Sequence, residues 1–238
     1  MPTDECVHPP IKAVLFDLDE TLVDAEKGLS AAHSDIARMI LSLCGKEIAV
    51  QSILEEITRL DDEMNKLREY NRDIWWQKLV DSLGCPRTLS AASVRALTES
   101  YWGSYARAAE PYEDVEDVLL YIRGKRYRLG IVTDTDGVVG IKKTRIEEFR
   151  FKDFFDAVVI AGEDTRMTKP DPEPFLLAAR RLGVSASECA FVGDKPFTDI
   201  KGANAAGMNT ILVMRRQWGS EEIADFTIKR LAEIKVIL

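Results

Sequence analysis

Short, largely apolar runs constrain the fold of this sequence more than any other feature. Helical stretches lie between these runs, for example Glu173–Leu182, which begins after Pro172 and ends at Gly183. Strands that are apolar on both faces and alternate with helices are typical of a parallel sheet with helices on both faces. The sequence therefore predicts an α/β fold whose strands are Ile11–Phe16, Arg128–Val132, Ala157–Ile160, Ala190–Val192 and Thr210–Val213.

The stretch from residue 25 to residue 109 has a different pattern. It contains no convincing strand, and apolar residues recur at intervals of three and four, as on one face of a helix. These residues are Ile53, Ile57, Leu60, Met64 and Leu67. We therefore expect residues 25–109 to form a smaller all-helical domain inserted into a core of residues 1–24 and 110–238. Two chain crossings would let this insertion move as a lid.

The distribution of charge and of apolar residues argues against two classes of partner. The chain has 238 residues and a formal net charge of -8, whereas nucleic-acid binding requires clustered Lys and Arg. The basic cluster Arg123–Arg128 follows a helical stretch, where basic residues complement the helix dipole. No segment reaches the ~18 consecutive apolar residues of a membrane span. We expect neither a nucleic acid nor a membrane as partner.

Cysteine spacing and the first residues indicate the cellular compartment. The four cysteines have no Cys-x-x-Cys spacing, which argues against a zinc site or a disulfide framework. Met1–Glu5 has no basic region followed by an apolar stretch of signal-peptide length. We expect a cytoplasmic protein with free thiols. The cysteines are Cys6, Cys44, Cys85 and Cys189.

Polar residues that could bind a ligand or take part in catalysis follow the predicted strands or lie in loops beside them. In an open α/β sheet, ligands bind in the crevice outside the carboxyl ends of the strands. Four separate parts of the sequence are therefore expected to meet at one edge of the sheet. They are Asp17-Leu18-Asp19-Glu20-Thr21, Thr133-Asp134, Lys169-Pro170 and Gly193-Asp194 with Asp199.

The residue types at this edge suit phosphoryl chemistry with a metal ion. Closely spaced carboxylates repel one another unless a cation or a shared proton relieves them. Oxygen ligands without His or Cys select a hard cation, and Mg²⁺ binds through few carboxylates together with a substrate phosphate. Lys169 and Thr133 can contact the oxygens of a phosphoryl group. A carboxylate can then attack phosphorus and form an acyl phosphate.

Each of these features taken alone has an ordinary structural explanation. Asp17 and Asp19 could be turn or capping residues, and Asp194 and Asp199 could be loop and helix-cap acids. Lys169 could be a solvated lysine before a proline. Their joint occurrence, each at a strand end or in a loop, favours a functional site.

The chain resembles the haloacid dehalogenase superfamily, in the phosphatase branch with a helical cap that includes phosphoglycolate phosphatases. The resemblance extends from about Lys12 to about Leu231. It implies a Rossmann-like core and a helical cap inserted after the first motif. Four motifs carry the resemblance: Asp17–Leu22, Gly130–Thr133, Thr168–Pro172 and Gly193–Asp199.

The resemblance implies roles for the residues of the first motif. Asp17 would be the nucleophile and a magnesium ligand. Asp19 would protonate the leaving alcohol, then act as base toward water, and its backbone carbonyl would reach the metal. Glu20 stands where Gly or Asp is common. Dehalogenases lack an acid at the position of Asp19, because a departing halide needs no proton.

The other motifs carry the phosphate-binding and metal-binding roles that the resemblance implies. Thr133 and neighbouring backbone amides, including that of Asp134, would hold the phosphate, and Lys169 would neutralise it and orient the nucleophile. Asp134 stands where Asn or Gly is common. Asp194 would bind the metal, and Asp199 would be a ligand or would support one.

The sequence and the resemblance together predict a Mg²⁺-dependent phosphatase. The expected partner is a small phosphorylated metabolite, and the expected assembly is a monomer or a homodimer. Phosphoglycolate, sugar phosphates, glyceraldehyde-type phosphates and nucleotides are all compatible substrates. A phosphomutase with the same core chemistry and a non-catalytic binding protein of the same family remain as alternatives.

Overall fold

A computed structural model describes most of the chain. Met1–Glu5 and Cys6, on which two of the sequence predictions rest, lie outside the described residues. The described ranges are 10–44, 48–215, 217–218 and 222–238.

A six-stranded, all-parallel sheet forms the centre of one compact unit. Its strands are β1 (Ala13–Phe16), β4 (Arg128–Asp134), β5 (Ala157–Ala161), β6 (Cys189–Gly193), β7 (Asn209–Val213) and β8 (Phe226–Ile228). Their order across the sheet is β5-β4-β1-β6-β7-β8. The predicted fold class is confirmed. Two two-residue strands, β2 (Val23–Asp24) and β3 (Glu110–Pro111), form a separate sheet.

The register of the central strands brings their carboxyl ends together. Phe16 pairs with Ile131 on one side and with Val192 on the other. The chain therefore leaves the sheet at the same edge, at Asp17 after β1, after Asp134 in β4 and after Gly193 in β6. This alignment is what positions the candidate site.

Helices of the same unit pack against the sheet. The predicted helix Glu173–Leu182 is present with those bounds and packs on β1, β4 and β5. Gly183 ends it with a φ of 69°, a conformation that glycine adopts without steric cost. Phe175 contacts Phe191 of β6, with ring centroids 4.8 Å apart. The helices of this unit are α5 (Val115–Gly124), α7 (Glu173–Leu182), α8 (Lys201–Ala205) and α9 (Ile234–Ile237).

A second compact unit is helical and has its own apolar core. The predicted apolar face of helix α2 (Val50–Leu67) is buried from Ile53 to Met64, whereas Leu67 at the helix end is exposed. Burial of one helix face stabilises such a unit more than helix propensity does. Its helices are α1 (Ala25–Cys44), α2 (Val50–Leu67), α3 (Asp73–Ser82), α4 (Ala91–Ala108) and α6 (Ile141–Glu148).

The helical unit comprises Asp24–Glu110 and, in addition, Thr135–Glu148. Within the added segment, the buried Asp136 accepts two hydrogen bonds from Arg145, each 2.9 Å long. The Arg145 guanidinium lies 4.1 Å from the ring centroid of Tyr105 in α4. The buried ion pair thus joins the two ends of the added segment, and the cation–π contact fastens the segment to α4. The domain bounds 1–24, 25–109 and 110–238 stay a prediction.

The expectation of free thiols is wrong for two cysteines. Cys44 at the end of α1 and Cys85 after α3 form a disulfide, with Cα atoms 5.5 Å apart. The two cysteines are 41 residues apart, and no sequence motif marks them as a pair. Only the packing of the helices brings them together. Cys189 is a buried free thiol.

Candidate active site

Asp17 is the first residue beyond β1, and its side chain is buried. Its N–H donates to the Val192 carbonyl over 2.9 Å, so the strand ladder fixes the backbone on which the carboxyl is mounted. The residue is only 4% exposed. A carboxylate held this deep needs a compensating charge.

Lys169 supplies that charge from the loop before α7. Its Nζ lies 2.6 Å from Asp17 Oδ1 and 2.7 Å from Asp199 Oδ1, and it donates to the Val132 carbonyl over 3.4 Å. Burial opposes the charge of this ammonium group. Asp17, Asp199 and Asp134 outweigh burial and hold the pKa of Lys169 well above its ordinary value. Lys169 is therefore a fixed cation at neutral pH.

Three carboxylates converge beside this lysine. Asp17, Asp194 and Asp199 each offer an oxygen within 4.8 Å of the others, and all three residues are buried. Gly193 allows this approach, because a Cβ at position 193 would lie 2.5 Å from Asp199 Oδ2. The structure thus brings together three of the predicted metal ligands.

Asp194 lacks the contacts that a buried carboxylate normally has. The residue is 0% exposed, and neither carboxylate oxygen has a hydrogen-bond partner among the described residues. Burial raises the pKa of Asp194 well above its ordinary value, and Asp199 and Asp17 add to this against the opposing charge of Lys195. A buried carboxylate without partners is costly. This all-oxygen cluster therefore fits a hard cation such as Mg²⁺.

The pKa of Asp17 is also raised, and burial is the largest cause. The positive charge of Lys169 lowers this pKa, whereas the negative charge of Asp199 raises it further. One lysine therefore does not offset this group of acids completely.

Thr133 and Asp134 close β4 beside the cluster. Thr133 is buried. The Asp134 carboxylate accepts a hydrogen bond from the Lys169 N–H over 2.9 Å, although the sequence analysis gave this side chain no role. Burial raises the pKa of Asp134, whereas Lys169 lowers it. Asp134 therefore ties the loop that carries Lys169 to the end of β4.

Asp19 lies in the turn after Asp17, where its backbone forms a bridge with Val23. It is not one of the three carboxylates that converge. Its side chain is half-buried, in contrast to the buried Asp17. The predicted proton-transfer role of Asp19 remains a prediction.

Lys195 is a charged residue of the site that the sequence analysis missed. It follows Asp194 directly, and its N–H donates to Asp199 Oδ2 over 3.1 Å. Burial opposes its charge, but Asp194, Asp17 and Asp199 raise the pKa of Lys195 above its ordinary value. Its position in the sequence, between the predicted metal ligands Asp194 and Asp199, was the signal that could have identified it.

Comparison with known proteins identifies the class. The model of the haloacid dehalogenase-like hydrolases matches residues 11–207. The chain therefore belongs to this hydrolase family.

Individual relatives indicate the phosphatase branch of this family. A glyceraldehyde 3-phosphate phosphatase of Methanopyrus kandleri is 32% identical over 233 residues, covering 94% of this chain and 95% of the relative. A phosphoglycolate phosphatase of Escherichia coli O157:H7 is 31% identical over 216 residues, covering 84% and 80%. A crystal structure of a HAD phosphatase from Thermococcus onnurineus has a TM-score of 0.68 at 26% identity, covering 95% and 97%. The predicted resemblance to the phosphatase branch is confirmed.

No helix in the described part of the chain is both long enough and apolar enough to cross a bilayer.

Proposed function

We propose that this chain is a Mg²⁺-dependent phosphatase that hydrolyses a small phosphate monoester through an aspartyl-phosphate on Asp17. One observation carries the proposal: Lys169 contacts Asp17 and Asp199, while the adjoining buried Asp194 has no hydrogen-bond partner among the described residues. The lysine suits a phosphoryl group, and the partnerless carboxylate suits a cation.

Residues Asp17, Asp194 and Asp199 would hold or support the metal. Bound Mg²⁺ would neutralise charge on the phosphoryl oxygens and relieve repulsion among the carboxylates. Lys169 contributes a second positive charge, and the Thr133 hydroxyl donates to a phosphoryl oxygen. These contacts place phosphorus next to the carboxylate of Asp17.

The reaction then proceeds in two displacements. An oxygen of the Asp17 carboxylate attacks phosphorus, the ester P–O bond breaks, and Asp19 gives its proton to the leaving alkoxide. In the second step Asp19 takes a proton from water, the water oxygen attacks phosphorus, and the Asp17 carboxylate leaves. Inorganic phosphate and the alcohol are the products.

The names of the relatives guide the choice of substrate. Glyceraldehyde 3-phosphate and phosphoglycolate, named in two of them, are short phosphorylated metabolites. We propose a substrate of this size class.

The proposed location is the cytoplasm, as a monomer or homodimer. Intracellular disulfides occur in hyperthermophiles. This sequence has few Asn and Gln and many charged residues, a composition typical of thermophiles. An intracellular location is therefore compatible with the Cys44–Cys85 bond.

The proposal is tested by measuring phosphate release from a panel of small phosphomonoesters with Mg²⁺, with Ca²⁺ and with EDTA. We expect release with Mg²⁺, none with EDTA and little with Ca²⁺, because Ca²⁺ takes more ligands at longer distances. Full activity in EDTA after dialysis would contradict the metal assignment. Transfer of the phosphoryl group within the substrate, without free phosphate, would indicate a mutase.

A further inference from the structure

The turn that follows Asp19 has an unusual backbone conformation. Glu20 has a φ of 67°, in the left-handed region that favours glycine. For an L-residue this conformation costs roughly 1–2 kcal/mol. Such strain persists only where surrounding contacts over-determine the backbone. The contacts of the Glu20 side chain are therefore informative.

Tyr112 holds this turn at two points. Its hydroxyl donates to Glu20 Oε2 over 3.0 Å, and its backbone N–H donates to the Leu22 carbonyl over 3.1 Å. Tyr112 follows β3 directly and belongs to the same compact unit as the turn. One residue thus fixes both a side chain and a backbone group of the segment after Asp19.

Arg215 holds the same turn at a third point. Its Nη2 donates to the Thr21 carbonyl over 3.3 Å, and its guanidinium lies 3.6 Å from the ring centroid of Tyr112. Asp114 Oδ1 lies 3.7 Å from Arg215 Nη2, and the Asp114 carboxylate also accepts from the Ala232 N–H. The side chains of Arg215 and Asp114 are 13% and 14% exposed. The guanidinium is therefore held in place from two sides.

We propose that Tyr112 and Arg215 are positioning residues that hold the Glu20–Leu22 turn, and through it set the carboxyl of Asp19 for proton transfer. The three anchoring contacts fall on the three residues that follow Asp19 in the chain. Loss of one contact lets the turn relax, and Asp19 then moves relative to the leaving oxygen. A misplacement of about 1 Å can cost roughly 10²-fold in rate. This inference rests on the proposed phosphatase function.

The leaving group distinguishes positioning of Asp19 from general support of the fold. An alkyl phosphate releases a strongly basic alkoxide that needs a proton, and general acid catalysis contributes about 10²–10⁴-fold. p-Nitrophenyl phosphate releases a weak base that leaves without one. A displaced Asp19 therefore slows transfer of the phosphoryl group from the alkyl phosphate to Asp17 and spares the same transfer from p-nitrophenyl phosphate. A fold defect slows both transfers. The value of kcat/KM reports this first step, because it does not include the later attack of water.

The experiment compares kcat/KM of wild type and Tyr112→Phe for both substrates. We expect kcat/KM for the alkyl phosphate to fall at least about tenfold, a part of the general-acid contribution, with kcat/KM for p-nitrophenyl phosphate nearly unchanged. Glu20→Gly removes the same hydrogen bond while relieving the positive φ, so it should fold and show the same selective loss. Glu20→Gln keeps an oxygen acceptor and should retain wild-type behaviour.

Tyr121→Phe is the matched control. The Tyr121 hydroxyl donates to the Lys235 carbonyl over 3.1 Å, a contact of similar length within the same unit but in helix α5. Loss of this hydrogen bond should not change the ratio of the kcat/KM values for the two substrates. An equal fall of kcat/KM for both substrates in Tyr112→Phe and Glu20→Gly, or no fall in either variant, would overturn the proposal. Wild type that releases no phosphate would instead refute the proposed function.

Discussion

Lys169 Nζ lies 2.6 Å from Asp17 Oδ1, and both groups are almost completely buried. The same nitrogen lies 2.7 Å from Asp199 Oδ1. One cation therefore joins the end of β1 to the turn after β6. In the proposed reaction the same charge would face the phosphoryl group. This relationship makes stability and catalysis depend on the same side chain.

Replacing Lys169 by Met should lower both the stability of the fold and the rate of phosphate release. It leaves Asp17 and Asp199 buried without their cation, and breaking a buried ion pair costs about 3–5 kcal/mol. Thermal unfolding in EDTA should show this loss, and Mg²⁺ should recover part of it. Phosphate release should fall by roughly 10²–10³-fold, as on removal of a charge-stabilising donor.

Lys12→Met is the control for this variant. Lys12 also forms an ion pair, with Glu188, but its side chain is 57% exposed. An exposed pair contributes about 0–1 kcal/mol, so neither unfolding nor turnover should change measurably. Equal effects of the two substitutions would contradict a special role for Lys169.

The stability of the metal-free protein should depend on pH through Asp194. Burial raises the folded-state pKa of Asp194 above its unfolded value. Its contribution to stability is therefore complete below the unfolded-state pKa and is lost as pH rises through the folded-state pKa. Melting temperatures in EDTA should fall as pH rises in this range.

Mg²⁺ should offset this loss, because it binds the ionised carboxylate. The difference in melting temperature between Mg²⁺ and EDTA should thus grow with pH. Asp194→Asn, which cannot ionise at this position, should reduce the pH-dependent part of that difference and leave only the part that comes from Asp17. A difference that stays constant with pH in wild type would count against Asp194 as a ligand.

Much of the fold could be predicted because apolar runs determine burial directly. The strand before Asp17 and the helix Glu173–Leu182 are examples, and β1 differs from prediction only by beginning at Ala13. Strand β8 was missed because Phe226–Ile228 is short and two of its three residues are exposed. Tertiary contacts, and no local pattern, define that strand.

Contacts that depend on the packing of helices or on the path of a loop could not be predicted. The Cys44–Cys85 bond depends on how helices pack, and the anchoring of Glu20 by Tyr112 joins residues 92 positions apart. The convergence of Asp17, Asp194 and Asp199 was expected, because parallel strands place their carboxyl ends at one edge. The bond from Lys169 N–H to Asp134 was not, because it depends on the path of a loop.

That loop contact yields a further prediction. Asp134→Asn keeps an oxygen acceptor for the Lys169 N–H and should retain most activity. Asp134→Ala leaves the N–H without this partner, at a cost of about 1–3 kcal/mol, and lets the loop shift. Turnover of the alanine variant should fall by roughly tenfold or more, since small displacements of catalytic groups are costly. Equal turnover of the two variants would show that the hydrogen bond does not matter.

The disulfide should stabilise the helical unit. Cys44 and Cys85 are 41 residues apart, and closing a loop of this size contributes about 2–4 kcal/mol. Reduction should therefore lower the melting temperature of wild type by several degrees. The double variant Cys44→Ala, Cys85→Ala should melt low with or without reductant. A wild type that is insensitive to reductant, with both thiols shown to be free afterwards, would refute this.

The central claim is that Asp17 is the nucleophile. Steady-state phosphate release by Asp17→Asn, in Mg²⁺ and with the best substrate of wild type, tests it most directly. The amide is nearly isosteric with the carboxylate but is a poor nucleophile and a weaker ligand. We predict a fall of at least about 10³-fold in a protein whose circular dichroism matches wild type. Residual turnover within about tenfold of wild type would contradict the assignment.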